Sequence, residues 1–207
     1  MTKEDVLSWL FRCAREYDNN LVNRHLLFIY DNRGRTDIIE VSFLPGHFLH
    51  MTGVKFAEGA EIRATDFYDR CLNQRLSIND FKMARDGTTD LKMQVFPYLV
   101  KRDLSARMIG EFGERRPALY TEKILGSVNH GCVGLIRTNG TNIFVPNTVL
   151  REDIRDITVR PQQRILLILS KKALERVYSV IAYKAKGVEV NENLFPATLR
   201  RRVNFDI

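Results

Sequence analysis

Apolar positions set a helical rhythm at the start of the chain. Val6, Leu7, Leu10, Phe11 and Ala14 recur at three- and four-residue spacing and form one stripe over residues 2 to 17. Thr2 is placed to cap this helix, with Asp5 three residues on as a capping-box partner. Trp9 lies off the stripe's centre. The apolar run His25 to Tyr30 then meets the turn Asp31-Asn32-Arg33-Gly34, and an alternating, partly β-branched run follows from Asp37 to Phe43. Asn and Gly tolerate positive φ, so these segments predict a β-hairpin. Pro45-Gly46 breaks the second strand. His47 to Thr52 reads as one helical turn with Gly53 as its stop. Further helices are predicted from Thr65 to about Arg75, with Phe67, Tyr68, Cys71 and Leu72 inward, and from Ser77-x-x-Asp80. A last one runs from Thr89 to about Ile109, kinked or broken at Pro97.

The second half changes character. Tyr120 to Leu125, Cys132 to Arg137, Thr141 to Val145 and Arg164 to Leu169 are strand-like. Thr138-Asn139-Gly140-Thr141 is the strongest hairpin signal, since Asn-Gly suits a type I′ turn. Asn147 to Ile154 reads as a short helix, and Tyr178 to Ala185 as a strand or helix. No repeat, low-complexity segment or Pro/Gly/Ser-rich linker interrupts the chain. The order of helix, hairpin, helices and then an antiparallel meander predicts an α+β fold rather than βαβ units. Residues 1–186 are expected to form one domain, with residues 187–207 as a basic C-terminal tail.

Composition narrows the partners. The chain has 207 residues, a net charge of +7 and 44% hydrophobic residues, enough for one packed domain. A basic balance favours polyanions: nucleic acid, an acidic protein or an anionic membrane surface. The dense basic runs are Arg115-Arg116, Lys171-Lys172 and Arg200-Arg201-Arg202. Cys13, Cys71 and Cys132 are odd in number and far apart, which gives neither a disulfide framework nor a CxxC zinc signature and fits a reducing compartment. No apolar run approaches the roughly 18 residues needed to cross a bilayer, and no targeting signal is seen. A cytoplasmic protein with no membrane partner is expected.

The Walker A loop, the dinucleotide fingerprint and the GxSxG elbow are absent. Acid–base and cationic groups remain. His47 and His50 share a face of a helical turn, and histidine suits proton transfer near neutral pH. Phe48, Leu49 and Met51 around them fit hydrogen-bonded structural histidines equally. The second constellation is Tyr120-Thr121-Glu122-Lys123 with Val145-Pro146-Asn147-Thr148 through Arg151 to Arg155. Asn147 or Thr148 is a natural helix N-cap. With Lys123, Arg151 and Arg155 beside it, that helix start is also a candidate phosphate site. Two histidines alone give little support to a metal centre.

At these segments the chain resembles the phage-associated nuclease-like domains grouped with barnase, EndoU, the tRNase colicins and the RelE toxins, in their fourth phage subgroup. The residues that carry the resemblance are Phe43 to Gly53, Tyr120 to Lys123, Ile143 to Leu150 and Asp153 to Arg155, within a match from about residue 20 to 180. The resemblance implies helices preceding a four-stranded antiparallel sheet, as in barnase and RelE. It also implies an RNase-type toxin or effector of phages and mobile elements that needs no metal or other cofactor. Such an enzyme cleaves RNA by attack of the 2′-hydroxyl on the adjacent phosphorus. On that reading His50 and His47 handle protons, and Lys123 and Arg155 stabilise charge. Asn147, Thr148 and Arg151 hold the phosphate, Tyr120 stacks on a base, and His50, Lys123 and the Asn147-Thr148 turn face one groove. The expected partners are RNA and an acidic antitoxin or host protein. The alternative is a non-catalytic phage factor that binds RNA or a host protein.

Overall fold

The computed structural model describes residues 2–59, 62–113 and 120–205. The basic pair Arg115-Arg116 lies outside them. Helix α1 (Lys3–Asn20) starts with the expected capping box: Thr2 Oγ1 accepts from the Asp5 N–H, and the Asp5 carboxylate accepts from the Thr2 N–H. Trp9 is buried among the stripe residues and its ring tilts against that of Phe96 at 5.4 Å. Strands β1 (Arg24–Asn32) and β2 (Arg35–Phe43) form the expected hairpin. Its turn places Arg33 and Gly34 at φ of 56° and 80°. Helix α2 (His47–Thr52) stops at Gly53, which sits at φ 75°. Strand β3 (Val54–Phe56), helix α3 (Ala64–Leu72), strand β4 (Phe81–Met83) and helix α4 (Thr88–Leu99) follow. Ser77 to Asp80 forms a turn into β4 rather than a helix, because the Asp80 carboxylate accepts from the Ser77 N–H and closes the loop. Pro97 lies inside α4, and the helix ends two residues later rather than running on.

The remaining strands are β5 (Met108–Glu111), β6 (Lys123–Gly126), β7 (Cys132–Arg137), β8 (Ile143–Leu150), β9 (Gln163–Lys172) and β10 (Val180–Lys184). The short helix α5 (Ile154–Ile157) lies between β8 and β9. The β7–β8 turn falls at Thr138 to Thr141 as expected, but only Gly140 of its two central residues has positive φ, so it is not type I′.

The expected four-stranded antiparallel sheet is replaced by a closed, mixed seven-stranded barrel in the order β1-β2-β8-β7-β6-β5-β9. Two pairings overturn the expectation. The N-terminal hairpin joins the later strands through a short parallel pairing of Glu40 and Val41 with Ile143 and Phe144. β9 then pairs with β5 at Gln163–Arg164 and with β1 along Ile165–Lys172, which closes the ring. β10 adds to β9 as an eighth strand. Closure removes all but the outermost sheet edges.

Strand alternation sorts the packing into three layers. Leu26, Phe28, Ile39, Val41, Phe43, Leu125, Val133, Leu135 and Ile165 share one core with α1, α2, α3 and α4. Its aromatic centre is Phe48, whose ring lies within 6.2 Å of those of Tyr17, Phe67, Tyr68 and Phe96. The opposite faces of β1 and β9 present Leu27, Ile29, Leu167 and Leu169 to Tyr178, Phe195, Leu199 and Val203 of the C-terminal segment. That segment carries two short 3-10 helices, Glu192–Leu194 and Arg200–Arg202. α5 covers the outside of β5 to β7 through Ile154 and Ile157 on Ile124 and Cys132.

Chain direction then gives the barrel two unlike ends. α1 leads into β1, α2 leaves β2, and α4 leads into β5, so these helices stopper one end. At the other end β1, β5 and β7 finish while β2, β6, β8 and β9 begin. No α-helix lines that mouth among the described residues.

Candidate functional site at the barrel mouth

Charged residues occupy inward positions where the strands reach the open end. Asp37 precedes Ile39 by two on β2, Glu111 follows Ile109 by two on β5, and Lys123 and Arg137 flank Leu125 and Leu135 on β6 and β7. Ile39, Ile109, Leu125 and Leu135 all face the core, so period-two alternation points these four charges into the mouth. Glu111 and Lys123 are register partners, and Lys123 Nζ donates to Glu111 Oε1 at 3.1 Å. Tyr30 pairs in register with Asp37. Burial, followed by the nearby carboxylates of Asp37 and Glu111, pushes the Tyr30 phenol up to about 12.

Tyr30, Asp37, Glu111 and Lys123 line an open cleft of about 610 Å3 whose rim adds Arg33, Arg35 and Arg160. Tyr30, Asp37 and Lys123 also line a second cleft of about 490 Å3. It runs over the gap where the start of β2 has no partner in β8, and reaches Arg137, Asn142, Glu40 and Arg202. Arg137 and Asn142 then line a third recess of about 380 Å3 bordered by Tyr120, which is 84% exposed. The three hollows share residues in sequence and form one track along the mouth.

Lys123 and Tyr120 are therefore on this track, at its centre and its far end. The other residues singled out from sequence lie elsewhere. His47 and His50 are on α2, at the stoppered end. His47 Nδ1 accepts from the Leu44 N–H at 3.1 Å, and burial with the neighbouring His50 lowers its pKa to about 4. The ring is thus neutral near pH 7, with its proton on Nε2. His50 is exposed, and its backbone carbonyl accepts from Lys92 Nζ at 2.8 Å. Burial brings the Lys92 ammonium down to about 8.

Asn147 and Thr148 do not cap a helix. They lie inside β8, and the cap of α5 is Asp153, whose side chain accepts from the Arg155 N–H. Pro146 and Asn147 are absorbed at an irregularity in the β7–β8 ladder, so the strand continues where a helix start was expected. The Asn147 amide donates to the Tyr120 carbonyl. The Thr148 methyl packs where any Cβ on Gly134 would sit. Arg151 is exposed just beyond β8 at the stoppered end. Arg155 is on α5, outside the barrel, with its guanidinium on Asp153 at 2.6 Å. The structure does not bring His50, Lys123 and Arg155 into one cleft.

Sequence reasoning missed Tyr30, Asp37, Glu111, Arg137 and Arg160. One signal was available: charges at positions whose parity matches the apolar face, each at a strand end. No group of three or more His, Cys, Asp or Glu residues is close enough to hold a metal among the described residues. No helix there is long and apolar enough to cross a membrane.

Fold and site together define a helix-stoppered β-barrel whose open mouth gathers cations around two carboxylates. The chain belongs to the family described as phage-Barnase-EndoU-ColicinE5/D-RelE like nuclease4, which matches residues 9–187. It is thus a phage-associated nuclease-type domain by family. Among curated proteins and solved structures, no match was found.

Proposed function

We propose that this domain is an endoribonuclease, a toxin or effector of phage or mobile-element origin, and that it cuts RNA at the barrel mouth. The observation that carries the reading is the Glu111–Lys123 pair beside Tyr30 and Asp37 in a cleft rimmed by Arg33, Arg35 and Arg160. Phosphodiester cleavage by a neighbouring hydroxyl needs a proton acceptor, a proton donor and cations for the charged phosphorane. Glu111 takes the 2′-hydroxyl proton as the 2′ oxygen bonds to phosphorus. The bond from phosphorus to the 5′ oxygen breaks, and Tyr30 donates a proton to the departing oxygen. Lys123 and Arg137 balance the added negative charge. The products are a 2′,3′-cyclic phosphate and a 5′-hydroxyl.

No redox step or metal-bound nucleophile enters this scheme. Cleavage of a single-stranded RNA by the purified chain should therefore survive a chelator and yield the cyclic phosphate. Intact RNA, or a product with a 5′-phosphate, would overturn the reading. One observation favours a second reading: no histidine lines the track among the described residues. A domain that holds RNA at the mouth without cutting it would give salt-dependent binding and no product in the same assay.

A further inference from the structure

The part of the C-terminal segment after residue 187 lies beyond the family match, yet it delivers one guanidinium to the track. Arg202 packs against β2 and holds Glu40 through a single nitrogen. Its Nη2 donates to Glu40 Oε1 and Oε2 at 3.1 and 2.9 Å. His25 Nδ1 lies 2.8 Å from the same Oε1. Among the described residues the Nε and Nη1 groups of Arg202 make no hydrogen bond, and the side chain is 42% exposed. A guanidinium carries five donors in a rigid fork, so most of this one's capacity is still unspent. The Glu40 carboxylate, 14% exposed, fixes its position instead of cancelling the whole cleft, because Lys123 and Arg137 line the same hollow.

We infer that Arg202 forms a second phosphate subsite, one linkage away from Lys123, which makes the C-terminal segment part of the binding site for an extended single-stranded polynucleotide. The inference rests on the proposed function in that it takes RNA as the ligand and deepens that reading. Its geometry is the shared lining: Tyr30, Asp37 and Lys123 join the mouth to the Arg202 cleft, and Arg137 joins that cleft to the Tyr120 recess. A short substrate fills the mouth alone. A longer one continues across the unpaired start of β2, meets Arg202 with its next phosphate, and lays a base on Tyr120. The guanidinium also lies over the Tyr178 ring, 5.7 Å from its centre; a simple structural latch would need that contact and Glu40 but not the unspent Nε and Nη1 donors.

Two variants of the full chain separate these roles. Arg202→Ala removes the cation. Thr198→Glu adds a negative charge to the same cleft at an exposed position, where the new side chain displaces nothing buried. Binding is measured with an all-2′-deoxy hexanucleotide, which lacks the attacking hydroxyl, and turnover with a ribodinucleotide and a ribohexanucleotide. Each variant should weaken hexanucleotide binding roughly fivefold to tenfold, about the loss of one charge-assisted hydrogen bond. Arg202→Ala should also make the salt dependence shallower by about 0.7 in log–log slope, and in both variants hexanucleotide turnover should fall more than dinucleotide turnover. Wild-type hexanucleotide affinity in Thr198→Glu, or in Arg202→Ala with only a lower melting temperature, would make Arg202 a latch and overturn the subsite. If Arg202→Ala does not fold, Thr198→Glu decides alone. Weakened binding in a chain that cuts no RNA would sink the nuclease reading and leave the subsite standing.

Discussion

Glu111 and Lys123 face each other across the β5–β6 pair, and their side chains meet at 3.1 Å inside the barrel mouth. His50, by contrast, stands on α2 at the far end of the same barrel. The pair makes a direct test of which end carries the chemistry. Lys123→Ala and Glu111→Gln should each lower the rate of RNA cleavage about 10²-fold or more, the usual cost of removing one preorganised charge or proton carrier. His50→Ala should leave the rate within about twofold. An inactive His50→Ala variant that folds normally, beside an active Lys123→Ala, would move the site to the helical end.

How much of this was legible beforehand depends on whether the signal was local. The α1 capping box, the Asp31–Gly34 hairpin and the Gly53 stop are written in consecutive residues, and the structure contains all three. Strand partners are not written that way. Nothing in the pattern of Val41 distinguishes a solvent-side neighbour from Phe144, yet that parallel contact, with the pairing of β9 to β1 and β5, turns an open sheet into a barrel. The site followed the same divide. Lys123 was found because it sits in a short, distinctive segment. Asp37, Glu111 and Arg137 are ordinary charges until closure brings four strand ends together. Asn147 and Thr148 misled because Pro-Asn-Thr is a good helix start, and pairing with β7 outweighed that local preference.

Glu40 ties the C-terminal segment to the barrel, and its ionisation should appear in the acid stability. Burial opposes the charge, but His25, the neighbouring Tyr178 hydroxyl and Arg202 outweigh it and hold the carboxyl near 2, against an ordinary 4.5. The folded state therefore keeps its negative charge at acidities where the unfolded chain has taken a proton. The resulting stabilisation is complete above about pH 4.5 and disappears as pH falls toward 2. Since Arg202 is 42% exposed, solvent weakens the pair, and about 1–2 kcal/mol is expected at pH 7. Urea midpoints of Glu40→Gln should lie below wild type at neutral pH and converge with it on acidification. A gap that stays constant down to the acid limit would mean that packing, not charge, is what the substitution removes.

Gly53 holds the junction of α2 with β3 in a conformation that side chains resist. At φ 75° a Cβ would also meet Lys92 Cδ at 2.9 Å and the Thr88 carbonyl at 3.3 Å. Lys92 is the residue that satisfies the His50 carbonyl, so pushing it aside uncaps α2. Gly53→Ala should cost about 2–3 kcal/mol. Gly34 has a similar φ of 80° but open space around it, so Gly34→Ala should cost only about 1–2 kcal/mol. Equal losses in thermal or urea unfolding would show that the Lys92 side chain yields without penalty.

His47 supplies the opposite kind of histidine from a proton shuttle. Its Nδ1 accepts the Leu44 N–H, a bond that a protonated ring cannot make. Burial and the adjacent His50 bring its pKa down to about 4 from an ordinary 6.5. Below about pH 6.5 the unfolded chain takes up a proton that the folded chain refuses. Stability contributed by the neutral ring is thus full above 6.5 and is lost as pH falls through about 4, by ~3 kcal/mol at most. Glutamine keeps a carbonyl oxygen to accept the same N–H and does not titrate. His47→Gln should therefore start near or slightly below wild type at pH 7 and lose less stability between about pH 6.5 and 4. Its RNA cleavage should keep the wild-type pH profile, since the ring is far from the mouth. A pH–rate profile flattened by His47→Gln, with stability curves unchanged, would return this histidine to the chemistry.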